Sequence, residues 1–409
     1  MTDSHPLKKK RKQIQTIYLA ILIKLIEENI EESEFEKLLI EEYRKTFLVD
    51  SELLKRCLVE DTVSLLTRLK KPWRHGTWAP LIRDIYIISP NEEEYFKQIK
   101  RITNVFGKKF SRLSSDFIEI LHGGESDESG VDQWTKEIRE NYRFFKQPVK
   151  KIAFIANVSA GKSTLINAIL GKRCLHASEE VCTGNVSYIY NKPFEDFRIS
   201  YKGVRTTLDA DDETLWNINR DEAVCLASYF LDGRRVCLVD TPGVNNVRNK
   251  THRIKTESIF DSLNADMTIC ILNAEKLGSD EEIEMLQWVK ARNIKNVLFV
   301  VNKLDKFRTS DDNIADSLEK VRMDLIDIGF ETPIICPVSA NLALLNRLSA
   351  AKALSEDDME ELEFLNKKFE KSKYDLSVFY ADKICNTEID DTLLKTGIPN
   401  LEELIIRSN

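Results

Sequence analysis

The sequence predicts an α/β domain of the phosphate-loop class, with a mostly parallel sheet covered by helices on both faces, preceded by an all-α helical bundle domain. Three observations carry this prediction. Before residue 122 apolar residues recur at three- and four-residue spacing, the period of amphipathic helices. After residue 147 short, nearly continuous apolar runs alternate with helical segments, as a parallel sheet buried on both faces requires. The first of those runs leads through "ANVSAGKST" into a helical segment, the strand-loop-helix setting of a phosphate loop.

Composition bounds the rest. A chain of 409 residues, 42% hydrophobic and 31% charged, is a soluble protein of two or three domains. A net charge of -7 argues against a surface that coats nucleic acid, so no nucleic-acid partner is expected. Eight cysteines are scattered without a C-x-x-C pair, and several lie in apolar runs such as "MTICIL" and "PIICPV". They read as buried thiols in a reducing compartment. No apolar run approaches the roughly 18 residues that cross a bilayer, and "IYLAILIKLI" is broken by Lys24. The start lacks a secretion signal's small-residue cleavage site, so a cytoplasmic location is expected, peripheral at a membrane if one is bound.

Residues 1–12 read as a basic, disordered tail containing five consecutive cations, Lys8 to Lys12. Such a run serves as a solvated tail, an anionic-lipid contact or a nuclear import signal. Residues 13–121 form the bundle, from "IYLAILIKLIEENI" through "EFEKLLIEEYRKTF" and "SELLKRCLVEDTVSLLTRL" to "EYFKQIKRITNVFGKKFSRLSSDFIEIL". Lys70 to Leu81, with Pro72, Gly76 and Pro80, is expected to be a loop whose Trp73 and Trp78 pack on the bundle. The polar, Gly- and Ser-rich stretch 122–130 is a linker, 131–148 a connecting helix, and 149–409 the second domain.

The phosphate loop departs from G-x-x-x-x-G-K-[ST] at one point, since Ala156 stands where the first glycine belongs. Alanine is the least costly replacement there. The loop residues Asn157, Ser159, Ala160 and Gly161 present backbone N–H groups, and Lys162, Ser163 and Thr164 open the helix whose positive end faces the phosphates. Lys162 is expected on the β- and γ-phosphates and the Ser163 hydroxyl on Mg2+.

Three later strand ends add independent signals. "RRVCLV" is followed by Asp240-Thr241-Pro242-Gly243, a D-x-x-G whose carboxylate holds magnesium through water and whose Gly243 N–H meets the γ-phosphate. "NVLFVV" is followed by Asn302-Lys303-Leu304-Asp305, an N-K-x-D. The Asp305 carboxylate can accept from N1–H and the N2 amine of guanine, an edge that adenine lacks, while the Lys303 stem covers the ring. "PIICPV" is followed by Ser339-Ala340, where a backbone N–H can meet guanine O6. Four such motifs, each at a strand end, point to a P-loop GTPase domain that takes GTP and GDP. The 78 residues between Lys162 and Asp240 leave room for an extended switch segment. Thr183 is its first candidate as the switch threonine on magnesium, with Thr206 and Thr207 as rivals. Asp209, Asp211, Asp212 and Glu213 read as a solvated acidic loop.

With these motifs in place, "SAGKSTLINAILG", "VDTPGVNN", "THRIKTESIFDSLNADMTICILNAEK" and "VLFVVNKLDKF" resemble the bacterial dynamin-like proteins of the dynamin superfamily, and "TGIPNLEELI" resembles the last helix of their GTPase domain. The likeness spans roughly 149–409. It implies a large GTPase that self-associates through its GTPase domain and acts on membranes, alone or with a companion dynamin-like chain. It also implies catalytic roles for Lys162, Thr183 and Ser159, the last matching a serine that holds a monovalent cation. Two departures limit the mechanism: Val158 stands where eukaryotic dynamins carry a catalytic glutamine, and Val244 where small GTPases carry theirs. Lys250, His252 and Arg253 are candidates for contacts in trans or a solvated helix start. A second functional class stays open, a GTP-regulated switch whose helical domain engages a protein or ribonucleoprotein partner and whose hydrolysis is incidental.

Overall fold

The computed structural model describes residues 5–29, 34–70, 78–89, 91–123, 133–175, 186–195, 198–202, 207–209, 224–231, 233–241, 263–294, 296–307, 313–381 and 389–407. They gather into two compact units, Met1–Pro148 with Ser200–Asp209, and Val149–Ile199 with Ala210–Asn409.

In the helical unit, α1 (Lys12–Asn29) carries a stretch, Tyr18 to Leu22, that is 0% exposed at every residue, so this helix is central. Around it stand α2 (Glu34–Thr46), α3 (Ser51–Val59), α4 (Thr62–Lys70), α5 (Trp78–Ile88), α6 (Glu92–Phe106), α7 (Lys108–His122) and α8 (Gln133–Lys146). Asp50 and Asn91 cap α3 and α6 by accepting from the N–H groups of Leu53 and Glu94. The expected loop from Lys70 to Leu81 is corrected at both ends, because α4 runs to Lys70 and α5 begins at Trp78. Pro80 is no breaker there: it lies in the first turn, where a missing N–H costs no hydrogen bond. Trp78 packs against Phe106 and Phe110, while Trp73 lies outside the described residues. The 131–148 helix is more than a connector, since Trp134 and Ile138 of α8 join this unit's core.

The expected disordered tail is also corrected. Pro6–Lys9 forms a 3-10 turn, with His5 and Leu7 buried beneath it. The Asp84 carboxylate receives the Tyr18 hydroxyl, the Tyr43 hydroxyl at 3.1 Å and His5 Nε2 at 3.1 Å. The Gln15 amide donates to the carbonyls of Lys8 (3.3 Å) and Lys10 (2.7 Å). Lys8 to Lys12 stay exposed, so the cations ride on a folded segment. Nothing near His5 in sequence signals this, because its partner is 79 residues away. A short antiparallel hairpin, β3 (Ser200–Lys202) with β4 (Thr207–Asp209), belongs to this unit by its contacts.

The second unit is built on β1 (Lys150–Ala156), β2 (Ser187–Asn191), β5 (Val224–Ser228), β6 (Val236–Asp240), β7 (Met267–Asn273), β8 (Val297–Asn302) and β9 (Ile334–Pro337), in the order β5-β2-β6-β1-β7-β8-β9. Every neighbouring pair is parallel except β2 with β6. The order reverses at β1, and such a switch point opens a crevice at the carboxyl ends of the strands. The helices are α9 (Lys162–Leu170), α10 (Asp280–Ala291), α11 (Ile314–Ile328), α12 (Ala340–Ala350), α13 (Glu356–Phe369), α14 (Asp391–Lys395) and α15 (Ile398–Arg407). Cys270 and Cys336 are 0% exposed, and burial pushes the Cys336 thiol up to about 12, as inert core thiols require. No helix among the described residues is long and apolar enough to cross a membrane.

Candidate functional site

Strand register brings the motif residues together. Pairing of β1 with β6 sets Phe154 opposite Asp240, and pairing of β7 with β8 sets Asn273 opposite Asn302, so the loop after β1 is flanked by strand ends on both sides. The loop turns through two left-handed residues, Ser159 (φ +64°) and Gly161 (φ +86°). A Cβ on Gly161 would lie 2.5 Å from Asn302 Nδ2, which is why only glycine fits there. Lys162 follows as the first residue of α9 and ion-pairs with Asp240, itself 1% exposed. The second Asp240 oxygen, Oδ2, and Asn157 Oδ1 are buried without a hydrogen-bond partner. Ser163 and Thr164, in the first turn of α9, are half-buried.

Asn302 is the joint between the two halves of the site. Its Nδ2 donates to the Ala160 carbonyl (3.0 Å) in the phosphate loop, and its Oδ1 accepts from the Ala340 N–H (3.1 Å) at the start of α12. Lys303 then adopts a left-handed conformation (φ +68°), turning the chain so that Asp305 points back into the unit, 3% exposed. Asp305 Oδ1 accepts from the Ser339 hydroxyl at 2.8 Å, and Oδ2 is buried without a partner. The Ser339 N–H donates to the Thr396 carbonyl at 3.0 Å. In this structure both backbone N–H groups of Ser339-Ala340 are engaged within the protein.

Three further participants carry no motif in the sequence. Asn273 Nδ2 donates to the Ser159 carbonyl (3.4 Å), and the asparagine closing "MTICILN" is its one local signal. The buried Thr241 hydroxyl donates to the Phe154 carbonyl (2.6 Å) and ties the D-x-x-G strand to β1. Lys368, on α13, reaches the backbone beside Asp305, with no local signal. Val158 is exposed at the loop tip. Thr183, Gly243, Val244, Thr206, Lys250, His252 and Arg253 lie outside the described residues, as does the side chain of Thr207. No group of three His, Cys, Asp or Glu arranged for a metal occurs among the described residues.

Residues 152–304, β1 through the N-K-x-D turn, match the sequence profile of the Dynamin family. This central stretch of the chain is therefore similar to the Dynamin family. The domain is 27% identical over 214 residues to a probable chloroplastic transmembrane GTPase, FZO-like, of Arabidopsis thaliana, across 51% of this chain and 21% of the relative. It is 25% identical over 238 residues to Dynamin-like protein A of Bacillus subtilis, across 52% of this chain and 19% of that protein. The chain therefore matches about a fifth of the length of these curated relatives. A solved oligomerised bacterial dynamin pair, described as sensing and tethering membranes, aligns with 98% of this chain and 60% of its own at 13% identity and a TM-score of 0.36, too loose a likeness to bear on function.

Proposed function

We propose that the chain binds GTP and hydrolyses it to GDP and phosphate in its dynamin-family domain. One observation carries the base: Asp305 is a buried carboxylate with one oxygen held by Ser339 and the other without a partner, at the strand end beside the phosphate loop. A buried carboxylate oxygen lacking a donor is costly, so a ligand offering two adjacent N–H donors is favoured, and guanine does so where adenine does not. The Lys303 stem covers the base. Asn157, Ser159, Ala160, Gly161, Lys162, Ser163 and Thr164 surround the phosphates, and Gly243 meets the γ-phosphate.

The groups present fit a magnesium ion, because the orphaned Asp240 oxygen and the Ser163 hydroxyl are the oxygen donors it prefers, with Thr183 completing the set. When bound, the ion neutralises charge on the phosphates. Lys162, paired with Asp240 in this structure, is placed to carry phosphate charge from the same position. Neither Val158 nor Val244 can orient water. Hydrolysis then depends on Thr183, on a monovalent cation beside Ser159, and on a facing GTPase domain that excludes water, so turnover is coupled to self-association. An anionic membrane is the second partner we propose. Lys8 to Lys12 are exposed on a folded segment, and the Gln15 side chain that holds it also accepts from the N–H of Leu48, whose side chain is 62% exposed.

The test is calorimetric. Asp305→Asn should lose about 2 to 4 kcal/mol of GTP binding and gain affinity for xanthine nucleotides, because an amide amine then meets the guanine N–H groups. Equal binding of ATP and GTP by the native chain would refute the base assignment. A specific GTPase rate that does not rise with protein concentration would refute the coupling to association.

A further inference from the structure

We propose that Lys368 is a positioning residue for base specificity, setting the backbone of the N-K-x-D turn so that Asp305 meets the ligand edge. The inference rests on the guanine reading above and adds to it a residue that belongs to none of the motifs.

The turn itself is weakly held. Leu304–Lys306 is a single 3-10 turn, closed by the Lys306 N–H on the Lys303 carbonyl (2.9 Å) and the Phe307 N–H on the Leu304 carbonyl (3.3 Å). Such turns are short and their hydrogen-bond geometry is poor. Ser339 fixes the Asp305 side chain from below, but a hydroxyl on the carboxylate does not fix where the backbone carries that carboxylate. The backbone is fixed from α13. Lys368 Nζ donates to the Asp305 carbonyl at 2.6 Å and also to the Phe307 carbonyl, so one ammonium bridges the two ends of the Asp305–Phe307 segment. Charged donors to carbonyls are stronger than neutral ones.

Lys368 is held in turn. Its ammonium sits 4.8 Å from the centroid of the Tyr374 ring, a cation–π contact. The Tyr374 hydroxyl donates to the same Phe307 carbonyl at 3.2 Å. Tyr374 is 2% exposed and belongs to the core cluster that also contains Leu304, Phe307, Leu365 and Phe369. Beneath the N-K-x-D turn there is therefore a buried platform whose polar contacts to the turn are the Tyr374 hydroxyl, at Phe307 alone, and Lys368, which alone of the two also reaches the Asp305 carbonyl. Methionine at 368 would keep the aliphatic stem and lose both carbonyl bonds, whereas arginine keeps a cation able to donate to two carbonyls.

The readout must isolate the bond made by Asp305. GTP and ITP differ only by the N2 amine, so their affinity ratio reports the second hydrogen bond to the carboxylate and cancels every phosphate and magnesium contribution. In the native chain this ratio should be about tenfold or more in favour of GTP, the worth of one hydrogen bond to a charged group. Titrating both nucleotides into the native chain, Lys368→Met and Lys368→Arg by calorimetry should show the ratio collapsing to within about threefold in Lys368→Met and recovering in Lys368→Arg. A Lys368→Met chain that keeps the native ratio overturns the proposal, as does one that loses GTP and ITP affinity equally. A native ratio near one would instead sink the guanine reading itself and this inference with it.

Discussion

Replacing Asn302 with alanine tests the joint on which the site turns. The native side chain is 2% exposed and makes two bonds, to the Ala160 carbonyl at 3.0 Å and from the Ala340 N–H at 3.1 Å. Ala160 and Ala340 are 1% and 0% exposed, so neither freed backbone group gains ready access to water. Each orphaned buried group costs about 1 to 3 kcal/mol, which sums to about 3 kcal/mol after partial relaxation around the smaller side chain. Asn302→Asp should cost more, since it sets a carboxylate oxygen against the Ala160 carbonyl and keeps one bond only. The measurement is urea unfolding followed by circular dichroism, restricted to the transition that GTP shifts in the native chain, because that transition belongs to the nucleotide-binding unit. Calorimetry on the same samples should show GTP affinity falling at least about tenfold, as phosphate loop and base turn lose their common reference. A stability loss below about 1 kcal/mol would mean that the two bonds are not holding buried groups. Full loss of stability with native GTP affinity would refute the coupling between the two halves of the site.

Glu282, on α10, is 5% exposed, and burial pushes its carboxyl up to about 7, against the opposing hydrogen bonds of the Gly278 and Asn273 N–H groups. A carboxyl raised in the folded state stabilises the fold below its unfolded pKa near 4.3 and loses that contribution as pH rises through about 7, so Glu282→Gln should flatten the decline between these limits and add about 2 to 3 kcal/mol at pH 8. Thermal unfolding of both chains from pH 4 to pH 8 reads this, and parallel curves would refute it. Removing residues 1–9 strips Leu7, 2% exposed, and the His5 bond to Asp84 from the helical core, and should destabilise that unit by about 3 kcal/mol in urea. An unchanged transition would show that the segment is not anchored. Lys9→Gln, Lys10→Gln and Arg11→Gln together should leave the fold intact and weaken co-sedimentation with phosphatidylserine vesicles by about tenfold or more, since each cation near an anionic surface contributes about 1 kcal/mol. Retention of native vesicle binding by that variant would remove the basic segment from any membrane contact.

The strand-and-helix texture was legible because it is written locally. Five of the sheet's strands, β1, β6, β7, β8 and β9, announce themselves as near-continuous apolar stretches, but Val224–Ser228 does not stand out from its surroundings and Ser187–Asn191 reads only as part of a switch segment. The second of these pairs antiparallel with β6, and its alternating exposure blurs the apolar run. Trp78–Ile88 is illegible for the opposite reason: buried along almost its whole length, it shows no polar face whose period can be counted, and its Pro80 reads as a breaker.

By itself the sequence determined the class of each domain, the order of the nucleotide motifs and the absence of a glutamine at either familiar position, because periodicity and turn chemistry act within a few residues. Only the tertiary structure decided which groups meet. It set Asn302 against Ala160 across 142 residues, Lys368 against the Asp305 backbone across 63, and His5 against Asp84 across 79. It also gave the Ser339 and Ala340 N–H groups partners within the protein, the Thr396 carbonyl and Asn302 Oδ1. A hydrogen bond depends on where two backbones pass in space, and that position is set by strand order and core packing, which no local pattern encodes.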